Sequence, residues 1–540
     1  MRRHSPLIAL AAGLAAAALV AGCSSGSSDS GSSSAPASES ATATGGGEVD
    51  AMTWAVQAPI ASMDVAKDPS VPTLRAIGAA FDRVLTQDDE GNVIPGVTSY
   101  ATPDPQTIVL TVRDGVTFWD GTPLTAEDIA YSIERHTGPD NPSLIAPLFG
   151  SIESVDVTDP TTVTINLSRP DPLMLTNLAA LAQVRQKAYD EAAGEAVGGP
   201  EKPGMGTGPY SITSYSSADG VVLAANENYW GGKPKVKEIT IVSIPDPETA
   251  RLAMSSGEID GFFDVPLIAT RQWDELDNAT MTYVEGSYIN YLVMDATRAP
   301  FDDVNARIAM AHLLDLPALA QPLFNGRATP PKSIVPTVQM EATFGADAAA
   351  IEGALPAIPA YSIDQAREAL AKSATPEGFS VELPVDTTQP WMSPLAQNLA
   401  ENAKQIGIDI TVKPVPAADW QAGLLDPAGS PLQLLALAGP TTWAGELPPV
   451  LVGEMAPFNI ARYSTPEVNT LAGAVAGATT PEELRQPLQD LLANLNTNLP
   501  YVPLFTEDVA TAIGNDFVWD GGYSYFAIGQ AWPMKISGAQ

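Results

Sequence analysis

The sequence predicts an α/β protein with more than one hydrophobic core. Three observations carry this reading. Residues 106–112 alternate, with Ile108, Leu110 and Val112 on one face and Thr107, Val109 and Thr111 on the other, the period of a half-buried strand. Thr125-Ala-Glu-Asp128 then has the spacing of a capping box, and its two acids sit at the positive end of a helix dipole. Farther along, Ser393-Pro394 opens a helix that stops at Gly407, and residues 408–412 read as a strand, so helix and strand follow one another directly. With 540 residues the chain is long enough to bury several such layers.

Taken in order, the chain begins with an address. Arg2 and Arg3 precede an apolar run at residues 7–20. That run is shorter than the about 20 residues a membrane span needs and suits a signal segment. Val20-Ala21-Gly22-Cys23 fits a lipobox, which predicts removal of residues 1–22 and a lipid anchor on Cys23. Residues 23–47 are rich in Ser, Gly, Ala and Thr, and read as a disordered tether. The match to GxSxG at residues 22–26 lacks a strand before it and a helix after it, so it is no nucleophile elbow.

The folded body is expected from about Glu48. Residues 51–57 read as a strand and 74–81 as a helix. Asp114-Gly115 and Asp120-Gly121 mark turns within VRDGVTFWDGTPLTAEDIAYSIERH (112–136). Residues 161–167 alternate and should pair antiparallel with 106–112. GTGPY (206–210) and NENYWGGKP (226–234) precede a strand at 238–244, then a helix opened by Pro247 and closed by Gly257. A phosphate loop is excluded at GTGPY, because a proline stands where amides are needed and no Gly-Lys-Ser/Thr ending follows. A strand at 286–295 leads into PFDDV (300–304) and a helix from Asn305. Ser362 caps a helix with Gln365 at N3, residues 433–437 form a short apolar strand, 482–494 a helix, and PYVPLF (500–505) a final extended run. No internal repeat is present.

These phrases, in this order, resemble the family 5 solute-binding proteins, the peptide/nickel-type receptors of ABC importers. The 112–136 stretch carries most of the likeness. FDRVLTQDDEGNVIPGVTSY (81–100), GTGPY with NYWGGKP and GEID (257–260), and PFDDV extend it over roughly residues 51–505. The resemblance implies a two-lobed periplasmic-binding-protein-like fold of type II with an extra subdomain. Lobe I would comprise 48–286 plus 506–540, with the subdomain at about 100–205, and lobe II 287–505. The partners it implies are a small solute, peptide or oligosaccharide, and an ABC permease and ATPase complex. The membrane would be reached only through the lipid anchor, and the receptor would be monomeric and extracytoplasmic. Solute binding would close the lobes by a hinge, with no covalent step.

By the same resemblance the cleft is lined by Phe263 and Asp264 after GEID, by Asn290 and Tyr291 on the first crossover strand, and by Trp391 and Trp420. Large rings give wide apolar contact at low entropy cost. Peptide-binding members carry a W-x-x-D phrase whose acid pairs with the peptide ammonium. Here Trp443-Ala-Gly-Glu446 fits it with glutamate, whereas counting without a gap from Trp420 to Tyr463 places Pro440, Thr441 and Thr442 at that point. Both registers stay open. Glu446 would favour a peptide or other amine, and Thr441 or Thr442 a neutral solute such as an oligosaccharide.

Composition narrows the alternatives. The net charge of -36 repels nucleic acid and anionic lipid headgroups. One cysteine allows no intramolecular disulfide, and His4, His136 and His312 are too few for a zinc or nickel cage, so neither metal nor cofactor is expected. A hydrolase would need His136 or His312 beside a nucleophilic serine phrase, and neither has one. A lipoprotein of this fold that regulates the cell envelope instead of feeding an importer is the other reading.

Overall fold

A computed structural model describes residues 45–138, 142–439, 441–521 and 530–540. The signal segment, Cys23 and the tether as far as residue 44 lie outside the described residues, as does Pro440.

The strand predicted first is Thr107–Val112. It pairs antiparallel with Thr162–Leu167, Ile108 opposite Ile165 and Leu110 opposite Val163. Thr98–Asp104 and Ile152–Asp159 flank them in a four-stranded sheet. The helix Ala126–Glu134 starts in the expected capping box. Thr125 Oγ1 accepts from the Asp128 amide at 3.3 Å, and the Thr125 amide donates to Asp128 Oδ2 at 3.1 Å. Ile129 and Ile133 are fully buried in the same apolar cluster as Leu110 and Ile165.

An ion network sits at the end of that helix. Arg185 and Asp190 have no exposed side-chain surface and are joined at 2.5 and 3.0 Å. Arg135 grips Asp64 at 3.1 and 2.5 Å and approaches Asp190 at 3.9 Å. Arg185 also donates to the Met63 carbonyl at 3.2 Å. Gly204, at φ +124, leaves room for this guanidinium, since a Cβ there would lie 2.5 Å from Arg185 Nη2.

The phrases that marked the chain meet at one joint. Asp82 accepts from Thr207 Oγ1 at 2.8 Å, Tyr229 Oη at 2.8 Å and Trp230 Nε1 at 2.9 Å. Trp119 Nε1 donates to the Gly208 carbonyl at 3.1 Å. A Cβ on Gly206 would meet the Phe81 ring at 2.5 Å, and one on Gly208 would meet the Ala80 carbonyl oxygen at 2.2 Å. Backbone cannot swing aside as a side chain can. Gly208→Ala should therefore destabilise the protein by about 1–3 kcal/mol, read as a lower midpoint in urea unfolding. A midpoint equal to wild type would show that the joint is loose.

The largest sheet has nine strands. Ala279–Met294 and Tyr501–Gly514 run antiparallel through its middle, and Leu432–Ala438 lies outside the first of them. Beyond the second come Gly261–Phe262, Val49–Val56, Val236–Ser243, Gly220–Ala225 and Tyr210–Ser216. The short strand Ala328–Thr329 also pairs with Tyr501–Gly514. Both central strands are longer than the sequence suggests. Residues 279–285 and 508–514 pair with each other, Ala279 opposite Gly514 and Glu285 opposite Asp508, and the β-branched Val509, Thr511 and Ile513 favour the extension. At Gly286 the register shifts, and a Cβ there would lie 2.7 Å from the Glu507 carbonyl oxygen.

Ser380–Asp386 and Asp409–Val415 are parallel neighbours joined by the helix Met392–Lys404, the expected α/β layer. Ser362 caps the helix Ile363–Leu370 through the Gln365 amide at 3.2 Å. The first described strand, Gly45–Gly47, pairs with Ile536–Ala539 near the C-terminus.

Three apolar clusters result. One unites Trp54, Leu110, Ile129 and Ile241. A second runs from Ala55, Met254 and Phe262 to Leu292, Leu399 and Leu504. A third holds Tyr291, Leu435, Leu488 and Tyr501.

Candidate functional site

A cavity of about 680 Å³ opens beside the two central strands, within the range of small-molecule sites. Its wall is drawn from residues 56–58 at a strand end, Val71 and Pro72, Pro245 and Pro247, residues 264–268, Tyr288, residues 388–391, and residues 507–510. Leu323, Phe324 and Ala436 complete an apolar side.

Asp264 stands on the wall with φ +58, a backbone state that aspartate tolerates better than most residues. Its carboxylate takes Arg75 Nη2 at 3.0 Å, and its carbonyl accepts from Gln57 Nε2. Arg75 comes from the helix Val71–Ala80 and is buried, its guanidinium 4.2 Å above the Phe263 ring. Phe263 itself is 1% exposed and packs against Trp54 at 4.7 Å and edge-on against Trp532 at 5.0 Å. Of the pair after GEID, only Asp264 faces the cavity.

On the first crossover strand the neighbours divide in the same way. Tyr291 is fully buried, donates to the Ile334 carbonyl at 2.7 Å and meets Tyr501 edge-on. Asn290, also buried, donates through Nδ2 to Glu507 Oε1 at 2.6 Å. Glu507 lines the cavity. Burial pushes its carboxyl up to about 7, against a smaller opposing effect of the Asn290 bond. Asp508, next to it on the wall, is also raised by burial, with Arg327 working against the shift. Three carboxylates, on Asp264, Glu507 and Asp508, thus line the cavity, and no lysine or arginine is among its described lining residues.

Trp391 lies on the cavity wall at the start of the Met392–Lys404 helix. Trp420 does not. It borders a separate depression with Arg298, Lys413 and Gln433.

The two registers of the anchor phrase converge. Glu446 Oε2 accepts from the Thr441 amide at 3.2 Å, Thr441 Oγ1 at 2.7 Å and Gln339 Nε2 at 2.8 Å. Its pKa is raised to about 7 by burial, which outweighs these bonds. The Thr442 carbonyl accepts from Thr343 Oγ1 at 2.8 Å, and Trp443 stands partly buried against the third cluster. Glu446 therefore ties down its own loop. That loop adjoins the cavity wall through Ser287, which precedes Tyr288 and donates to the Gly439 carbonyl.

The histidines are occupied elsewhere. His136 is fully buried, bonded to Ser143 Oγ at 2.8 Å, and lowered to about 4 by burial and by Arg135. His312 Nδ1 lies 2.6 Å from the Ala360 carbonyl.

Sequence reasoning missed Glu507, Arg75 and Gln57. Glu507-Asp508 did leave a signal, an acidic pair inside an apolar stretch, but the strand was expected to end at Phe505.

Comparison with known proteins places this architecture. The family described as "Bacterial extracellular solute-binding proteins, family 5 Middle" matches residues 92–430. The glutathione-binding protein GsiB of Salmonella typhi is 26% identical over 441 residues, covering 78% of this chain and 83% of its own. Among solved structures, the periplasmic binding protein DppA from Helicobacter pylori in complex with peptide STSA superposes with a TM-score of 0.75 at 18% identity. That match covers 91% of this chain and 99% of the other. NikA from Staphylococcus aureus in complex with Ni(L-His)2 gives 0.71 at 18%, covering 91% and 100%. The match to the family spans more than half of the chain, and the fold agrees with both solved structures over 91% of it, so this protein belongs to the bacterial extracellular solute-binding proteins of family 5.

Proposed function

We propose that this receptor of an ABC importer captures an oligopeptide or a similar small solute in the cavity beside the crossover strands and hands it to a permease and ATPase complex. The observation that carries the reading is the acid-lined, half-apolar cavity into which Asp264, Trp391 and Glu507 project. Apolar walls with a few placed polar groups are what a small-molecule site needs.

Residues 48–286 with 506–540 form one lobe in this reading and 287–505 the other, hinged at the crossovers. Capture is closure of the lobes, driven by the solute's tighter binding to the closed form. The relatives' names support a peptide-like cargo, glutathione for GsiB and a peptide for DppA. The protein acts as a monomer without catalysis, outside the cytoplasm and anchored to the cell membrane by a lipid on Cys23. Asp264, Asn290 and Trp391 contribute to the site. The Thr441–Glu446 pair shapes the adjoining loop that carries Thr442 and Trp443, while Phe263, Tyr291 and Trp420 support it from the packing.

Thermal unfolding against short peptides and short oligosaccharides tests this. A ligand at 100 times its dissociation constant adds about 2.7 kcal/mol, so a bound peptide should raise the midpoint by at least a few degrees. A shift with oligosaccharides alone would replace the peptide reading with a sugar receptor.

A further inference from the structure

We propose that the cavity reads a primary ammonium group of its solute through Glu507, on the second crossover strand, and not through the Trp443–Glu446 phrase. This rests on the reading of the cavity as a solute site, and deepens it by naming the recognised group.

Glu507 is a carboxylate on a cavity wall with one described partner, the Asn290 amide at 2.6 Å. Glu446, by contrast, already receives three hydrogen bonds at one oxygen from its own loop and Gln339. The basic groups near Glu507 are committed elsewhere. Arg75 pairs with Asp264 and lies over Phe263, and Arg327 stacks 3.6 Å over Tyr283. Asn290 adds an independent observation. It is fully buried, and its Oδ1 has no hydrogen-bond partner among the described residues. A buried acceptor left open beside a carboxylate is costly unless a donor arrives.

The chemistry of the missing donor follows. Acceptors are in excess here, and Asp508 on the same wall is a further carboxylate, whereas the charge of Asp264 is met by Arg75. An ammonium brings three donors, no acceptor and a positive charge. A sugar hydroxyl brings a single donor and no positive charge to set against these carboxylates.

Protons balance simply. At neutral pH part of the Glu507 population is protonated, because burial raises its carboxyl. The arriving ammonium favours the carboxylate, and the displaced proton goes to solvent. Tyr288 senses Glu507 together with Asp264 and Arg75, while Asp508 on the same wall is coupled to Glu285 and Arg327. Tyr288 is pushed up to about 12 and stays neutral across the working range.

The test uses the purified full-length protein and three probes: trialanine, N-acetyl-trialanine, and N-acetylated Ala-Lys-Ala, whose only ammonium is on the side chain. We expect trialanine or the lysine peptide to bind and N-acetyl-trialanine to bind about a hundredfold more weakly. Which of the two binds tells whether the ammonium is terminal or carried on a side chain. Glu507→Gln keeps the shape and the Asn290 contact while removing the charge. It should cost about a hundredfold for the cationic probe and leave N-acetyl-trialanine unchanged. Affinity of the wild type should fall as pH drops from 8 to 5, and that slope should vanish in Glu507→Gln. Unchanged cationic binding in Glu507→Gln would overturn the inference and leave the peptide reading intact. Binding of N-acetyl-trialanine as tight as the better-bound cationic probe, or no binding of either cationic probe, would overturn it as well. A response to oligosaccharides alone would overturn both.

Discussion

Asp190→Ala should lower the unfolding free energy by about 3–5 kcal/mol, the cost of breaking a buried ion pair from one side. The Arg185 guanidinium would then lie fully buried with the Met63 carbonyl, at 3.2 Å, as its remaining hydrogen-bond partner among the described residues, and Arg135 would lose part of its acid environment. The measurement is guanidinium-induced unfolding followed by far-ultraviolet circular dichroism. An unchanged midpoint would mean that water or a shifted Arg185 compensates. Asp50→Ala, at the exposed Asp50–Lys237 pair, is the control and should leave the midpoint where it is. Acid acts on the same network. Burial works to raise Asp64, but Arg185 and Arg135 outweigh it and hold the carboxyl below its ordinary value. A depressed carboxyl stabilises the fold above its unfolded pKa near 3.8, and that contribution is lost as pH falls through the folded value.

Glu507→Gln should have the opposite kind of effect on the empty protein and raise its stability at pH 8. Here the folded pKa, about 7, lies above the ordinary 4.5. Between those values the folded state holds a proton that the unfolded chain has released, so stability falls as pH rises through this window. The glutamine variant removes that loss. The gain is on the order of 1–2 kcal/mol at pH 8, discounted for solvent reaching the cavity wall, and nothing at pH 4. Glu446 titrates in the same window, so part of the wild-type slope should persist. Thermal midpoints of both proteins from pH 4 to 8 decide it: parallel curves would place Glu507 in an ordinary solvated environment.

The contrast between these two carboxyls shows what the sequence made legible. Local signals read well. The Thr125 capping box, the alternation at 106–112 and the Ser362 cap depend on neighbours a few residues apart, and each forms as expected. The family phrases also read well, but as labels. GTGPY and the 112–136 stretch join each other and Asp82 at a packed joint, away from the cavity. Their wording is fixed by steric limits such as the 2.2 Å approach at Gly208.

The site itself was only half legible. Asp264, Trp391 and Asn290 stood at or beside the cavity, one just after a short strand, one at a helix start and one on a crossover strand, places that local sequence patterns mark. Tyr291, next to Asn290 in its strand, points the other way because successive side chains of extended backbone alternate in direction, while Phe263 packs into the core just before the left-handed turn at Asp264. Glu507 was missed because its partner Asn290 lies 217 residues away in sequence and the strand carrying it runs past the point where its apolar pattern breaks.

Strand pairing between the two ends of the chain sets a timetable for biosynthesis. Val49–Val56 is among the first segments made, yet the sheet beside it is closed by Tyr501–Gly514, and Gly45–Gly47 waits for Ile536–Ala539. At roughly 5–20 residues per second a ribosome needs about half a minute to a minute and a half to cover that interval. The compact unit around Thr98–Leu167, whose contacts are local, can form early. The large sheet cannot, and its apolar edges stay open until the last strands arrive. Such a nascent chain is a natural client for holding factors, and a stop codon anywhere before residue 514 would leave a fragment with an unfinished edge and not a smaller receptor.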